Sequence, residues 1–226
     1  MRQSLRPLLV FAYLLIAGVA TAHAAAARLM EPEPHGKSTR LAVLLHSFTA
    51  DGASMRQVTN VLLETDGWAD TDTLAPDLPF GRFSITSPAE VLANLVVSID
   101  AAWTKRLARG QPYEQIVIIG HSMGSLFARK LYAVACGEIA DAPFESELKE
   151  RLAAIGAAPV DAVRPWAGTV KRIVLMAGLN RGWSISHHMS LWRGLTMSAG
   201  VSLSRWVEAL TGEQFIIMAA HRGAPS

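Results

Sequence analysis

Apolar residues in this chain fall into two alternating patterns, and the alternation predicts the architecture. Leu41-Ala42-Val43-Leu44-Leu45, Gln115-Ile116-Val117-Ile118-Ile119 and Arg172-Ile173-Val174-Leu175-Met176-Ala177 are short, nearly unbroken apolar runs, as expected of strands covered on both faces in a parallel sheet. Thr71 to Leu74 reads as a shorter strand. Between these runs the spacing changes to that of helices. Met55, Val58, Leu62 and Leu63 form one stripe, ended by Gly67, and Val91, Leu95, Ile99 and Trp103 form another, running towards Gly110. Phe127, Leu131 and Val134 form a third, with Gly137 at the C-terminal position that favours positive φ. Ser87-Pro88-Ala89-Glu90 has the form of a capping box with proline at the first helical position. Phe144, Leu148, Leu152 and Ile155 suggest an insertion or peripheral helix, and Leu203, Trp206, Val207 and Leu210, before Gly212, a core-packed one. Strands alternating with helices imply an α/β fold with a predominantly parallel sheet.

The first residues follow a different logic. Arg2 and Arg6 precede an uncharged apolar run from Leu8 to Ala20, and Ala22-His23-Ala24 supplies a small-x-small cleavage pattern. Residues 1–24 are therefore expected to be a signal peptide, which makes the protein periplasmic or secreted. The rival expectation is an uncleaved membrane anchor over residues 7–27, since alanines extend the apolar stretch. Residues 25–40, with Glu31-Pro32-Glu33-Pro34-His35-Gly36, read as an extended linker. Gly36-Lys37-Ser38-Thr39 lacks the first glycine and the preceding strand of a phosphate-binding loop.

Charge and cysteine content narrow the possible chemistry. The formal net charge is +2, and loss of Arg2 and Arg6 with the leader leaves 19 basic against 19 acidic residues. Neither that balance nor any basic cluster with interleaved aromatics suggests a nucleic-acid partner. Cys136 is the single cysteine, which rules out an internal disulfide or a site of several thiolates. No metal or other cofactor is expected.

The candidate chemistry centres on Gly120-His121-Ser122-Met123-Gly124, set between a predicted buried strand and a predicted helix. A serine at the apex of so sharp a turn is held in strained backbone geometry with its hydroxyl exposed above the sheet. Glycines two residues to either side provide the room it needs. Met123 N–H, at the start of the helix, is placed to stabilise an oxyanion. Ser122 is the expected nucleophile.

These residues, with the strand that runs into His46-Ser47-Phe48-Thr49 some 75 residues earlier, resemble the α/β-hydrolase superfamily of serine esterases and lipases. The resemblance implies that the loop after Leu45 supplies a second oxyanion donor, with Phe48 N–H the first choice. Ser47 departs from the glycine usual in that loop. The core would span residues 41–226, with a cap or lid over about residues 179–212, where Trp, Met, His and Ser are frequent. Asp77 is expected to be structural, because the superfamily's acid follows the serine.

The remainder of the triad is harder to find. His187, His188 and His221 follow the serine, with His221 the candidate base, and Asp161, Glu208 and Glu213 are the candidate acids. The resemblance calls for further strands carrying acid and histidine, so C-terminal truncation is expected, and with it little turnover by the chain as given. The functional expectation is an exported hydrolase acting on a small or lipid-like acyl ester, with membrane contact through a lid or an uncleaved N-terminus. The alternative is a catalytically silent binding domain or inactive fragment. Substrate and oligomeric state are not legible.

Overall fold

The computed structural model describes residues 30–33, 39–81, 84–139 and 143–178, together with Ser202, Ala209 and Ile216. The proposed leader, most of the linker, most of the cap region and His187, His188, Glu208, Glu213 and His221 lie outside the described residues. No described helix is long and apolar enough to cross a membrane.

Four parallel strands form one sheet in the order β2-β1-β3-β4, with β1 at Arg40–Leu45, β2 at Asp72–Leu74, β3 at Gln115–His121 and β4 at Val170–Met176. The main helices are α1 (Arg56–Glu64), α2 (Pro88–Ala108), α3 (Met123–Ala135) and α4 (Pro143–Ala154), with short 3-10 turns at Gly52–Met55 and Ala167–Thr169. This is the predominantly parallel, helix-flanked α/β sheet that the alternating patterns predict.

Two-residue periodicity sorts the strand side chains onto two faces. Leu41, Val43, Leu45, Ile116 and Ile118 join the main core with residues of α2 and α3. Ala42, Leu44, Val117 and Ile119 meet Met55, with Val58, Leu62 and Trp68 packed against them. Both faces of the central strands are therefore covered, and β1 is buried along Leu41–Leu45.

Three expectations change. β4 is not a buried strand: Lys171, Arg172 and Leu175 are exposed and its other residues only half-buried, for it lies at one end of the strand order among the described residues. The reciprocal capping box does not form either, since Ser87 Oγ accepts from Ala89 N–H at 3.1 Å while Glu90 pairs with Arg151 at 3.4 Å. Finally, the α4 stripe is shorter than the spacing predicts. Leu148 and Leu152 are fully buried, and the stripe stops there, with Ile155 50 % exposed.

Residues 30–33 are fastened to the domain: Glu33 forms an antiparallel bridge with Thr73, and Met30 N–H donates to Ser98 Oγ. Ile216, helical and buried, belongs to the main core, and its N–H donates to Ser84 O at 2.8 Å.

Candidate active site

Strand order locates the site before any side chain is considered. From β1 the chain steps to β2 on one side, then crosses back to place β3 on the other side of β1. The succession reverses between β1 and β3, and the carboxyl ends of such a pair open into the crevice where α/β sheets bind ligands. Ser122 directly follows β3, and His46-Ser47-Phe48-Thr49 directly follows β1.

Ser122 has φ 52° and ψ −113°, a region that strongly disfavours a residue with a Cβ and costs on the order of 1–3 kcal/mol. Its own polar backbone groups are engaged: Ser122 N–H donates to Met176 O at 2.8 Å, and Ser122 O accepts from Ser125 N–H at 3.0 Å. Both flanking glycines are required by contact. A Cβ on Gly120 would lie 2.5 Å from Gly124 O and 2.7 Å from Ser125 Cα, and one on Gly124 would lie 2.2 Å from Leu45 O. The first turn of α3 is thus pressed directly onto the end of β1.

The facing loop is laced to the loop after β2. His46, fully buried, accepts Leu78 N–H on Nε2 at 2.8 Å, and its Nδ1 lies 2.8 Å from Ser47 O. Only the neutral ring with its proton on Nδ1 satisfies both contacts, so His46 has no nitrogen left to serve Ser122. Thr49 N–H donates to Phe80 O at 2.9 Å. Asp77 Oδ1 accepts Gly52 N–H at 2.7 Å, a structural contact.

The loop's departure from glycine at Ser47 has its resolution two residues on. Ala50 N–H donates to Ser47 O at 3.2 Å, closing a turn whose third residue, Thr49, takes φ 58°. Ser47 therefore needs no positive φ. Neither Phe48 N–H nor Met123 N–H donates to any described residue, and α3 has no side-chain cap. Each of these donors follows a strand end, Phe48 after β1 and Met123 after β3.

Strain is concentrated at this edge. The described non-glycine residues with positive φ are Thr49, Ser122 and Ala177, and they follow β1, β3 and β4 respectively. Sequence reasoning identified the second and missed the other two, for which neither Thr nor Ala gives a signal.

Of the acid and base candidates, only Asp161 is described. It is exposed, and its carbonyl lies 2.7 Å from where a Cβ on Gly137 would be. Gly137 follows the far end of α3, roughly 20 Å from Ser122 along the helix at 1.5 Å per residue. The structure does not bring Asp161 to the serine. Ser122 Oγ has no hydrogen-bond partner among the described residues, and none of their His, Cys, Asp and Glu side chains form a group suited to holding a metal.

No family model matches the chain, and no curated protein matches it. Solved structures similar to it include an acetyl xylan esterase, 18 % identical, with 65 % of this chain and 67 % of that one covered at a TM-score of 0.38. A lipase-esterase related protein from Clostridium acetobutylicum is 14 % identical over 71 % of this chain, at a TM-score of 0.36, and the match spans half of that protein's length. A phospholipase/carboxylesterase from Dyadobacter fermentans is 14 % identical over 77 % of this chain and 96 % of its own, at a TM-score of 0.35. The chemistry assigned to Ser122 below rests on the geometry of its own turn.

Proposed function

We propose that the chain is a serine hydrolase that cleaves carboxylic esters, with Ser122 as nucleophile on a strand-turn-helix elbow. The observation that carries this reading is the backbone of Ser122, at φ 52° and ψ −113°. Were the turn merely a connection, glycine would occupy it without strain. Among the described residues its hydroxyl has no partner, and it stands at the sheet's switch point, where neither Met123 N–H nor Phe48 N–H donates to a described acceptor.

In this mechanism Ser122 Oγ attacks the ester carbonyl carbon as its proton passes to a histidine. The oxyanion accepts from Met123 and Phe48 N–H, the histidine returns the proton to the leaving alcohol, and water then releases the acyl group by the same route. His221 is the base this reading assigns, with His187 and His188 as the other histidines after the serine. Export by residues 1–24 belongs to the same proposal, as does a small or lipid-like acyl substrate.

The second reading, a silent binding domain, is favoured by one observation: no described histidine has a nitrogen bonded to Ser122 Oγ. A fluorophosphonate probe separates the two readings. Labelling at Ser122 in the full chain, abolished by Ser122→Ala along with at least about a 10³-fold loss of nitrophenyl-acetate turnover, is the expected result. No labelling of the wild type transfers the assignment to the binding domain, and labelling that persists in Ser122→Ala removes Ser122 as the nucleophile. His221→Ala tests the base: undiminished labelling would place it elsewhere.

A further inference from the structure

We propose that Ser125 is a positioning residue, whose hydroxyl staples β3 to α3 across the Ser122 turn and so fixes the attitude of the nucleophile; the catalytic consequence rests on the hydrolase reading above. Serine and threonine inside helices ordinarily donate to the carbonyl four residues back. Among the described residues Thr59 to Met55 O, Ser98 to Asn94 O and Thr104 to Asp100 O follow this pattern, as does the C-cap Thr65 to Val61 O. Ser125 behaves differently. Its Oγ donates at 2.8 Å to Gly120 O, five residues back and on the strand side of the strained residue, with Met176 O at 3.4 Å.

The geometry gives this bond a purpose that helix formation does not require. Ser125 N–H already holds Ser122 O at 3.0 Å, and Met176 O already holds Ser122 N–H at 2.8 Å. The hydroxyl therefore closes a loop from Gly120 through the turn to Ser125, leaving Ser122 little freedom to relax out of positive φ. Ser125 is 1 % exposed, so water cannot replace its proton at the Gly120 carbonyl. A Cβ on Gly120 would lie 2.7 Å from Ser125 Cα, so the staple depends on the bare glycine that precedes the turn.

The test uses the full chain and two independent readouts, hydrogen exchange at the Ser122 amide and probe inactivation rate per titrated active site. Ser125→Ala is expected to speed exchange of the Ser122 amide by about 3- to 10-fold, the weight of one buried hydrogen bond, with Ile118 in mid-strand unchanged. It should slow inactivation and kcat by a similar roughly 3- to 10-fold factor, with KM altered less. Ser125→Thr, which retains the hydroxyl, should restore both. If Ser125→Ala does not fold, Ser125→Cys, close in volume with a much weaker donor, takes its place and the same changes are expected. A lower melting temperature with unchanged amide exchange and unchanged rate per site would make Ser125 merely structural and overturn the proposal. Absence of Ser122 labelling in the wild type would instead remove the hydrolase reading. The exchange result alone would then decide the staple: faster exchange supports it and unchanged exchange sinks it.

Discussion

Asp72 and Tyr113 at the amino ends of the strands lie about 20 Å, one strand's length, from Thr49 and Ser122 at the carboxyl ends, and the two edges are held by different interactions. At the amino edge the protein buries polar and charged side chains and pairs several of them across the fold. Tyr113, 2 % exposed, donates to Asp72 Oδ2 at 2.8 Å beneath the Arg106 guanidinium, 5.0 Å above its ring. Burial, reinforced by the bond to Asp72, pushes the Tyr113 phenol well above its ordinary range. Before β4, buried Arg164 pairs with Asp100 at 3.1 Å and Trp166 Nε1–H donates to the same carboxylate at 2.7 Å. At the carboxyl edge the interactions are backbone hydrogen bonds and glycine contacts, with His46, Asp77 and Ser125 side chains each bonded to backbone. One edge is fixed largely by side chains that gain from their partners; the other is over-determined by backbone contact and keeps strained residues and donors with no partner among the described residues. The first is how a sheet is fastened to its helices. The second, on the hydrolase reading, is how a reactive position is held ready.

The sharpest way to break this contrast is to add one methyl group at each edge. On Gly124 it would meet Leu45 O at 2.2 Å and His46 O at 2.7 Å, both backbone atoms, whereas on Gly168, next to β4's amino end, nothing lies within 4 Å. Gly124→Ala should cost more than about 4 kcal/mol, since a clash with strand backbone cannot be repacked away. Gly168→Ala should stay within about 0.5 kcal/mol. Urea unfolding of the two variants reads both, and comparable losses would mean that the carboxyl edge is no more tightly built than the other.

A smaller effect tests the amino edge. Asp100→Ala removes the acceptor of Trp166 Nε1–H and the counter-charge of Arg164, which keeps its bonds to Ala158 O at 2.9 Å and Pro159 O at 3.2 Å. Losing this buried hydrogen-bonding carboxyl group should cost about 3 kcal/mol near pH 4. The pH dependence has a definite sign. Burial holds the Asp100 carboxyl above its ordinary 3.8, against the opposing pull of the Trp166 hydrogen bond and the Arg164 charge. A raised carboxyl is stabilising below the ordinary value, and that contribution is lost as pH rises through the folded-state value. The gap between wild type and Asp100→Ala should therefore narrow between pH 4 and pH 7. A gap that widened would show that the Arg164 charge, not burial, governs this carboxyl.

These two edges were also unequally legible in the sequence. The carboxyl edge announces itself, because a buried strand, a tight turn and a helix leave a local signature, and Gly120 and Gly124 mark where backbone meets backbone. Pairings at the amino edge are distant in sequence: Asp100 lies among Val97, Ile99 and Ala102 in what reads as an apolar helix, and its partners are 64 and 66 residues away. No local period encodes such a contact. β4 carries the same branched apolar run as β1, yet only the strand order decides which of them is covered on both faces. Thr49 is the opposite failure. Its residue type argues against the conformation it adopts, so local propensity predicted nothing there.

That mismatch supports the last and smallest prediction. Thr49 holds φ 58° at the third position of the Ser47–Ala50 turn, where glycine or asparagine is favoured and a β-branched residue is strained by about 1–2 kcal/mol. Its side chain is exposed, so replacement opens no cavity. Thr49→Gly should stabilise the fold by about 0.5–1 kcal/mol, the relieved strain less the greater chain entropy that glycine brings to the unfolded state. Thr49→Asn, which tolerates the same φ without that entropy, should stabilise at least as much. On the hydrolase reading both should lower turnover slightly, glycine more than asparagine, because Thr49 follows Phe48 directly and a freer turn holds that N–H less firmly. Melting temperature and kcat measured on the same preparations decide the matter. A Thr49→Gly variant that gains stability with kcat unchanged would separate the strain at this turn from catalysis, and one that loses stability would show that the threonine's stiffness, rather than its strain, is what the carboxyl edge uses.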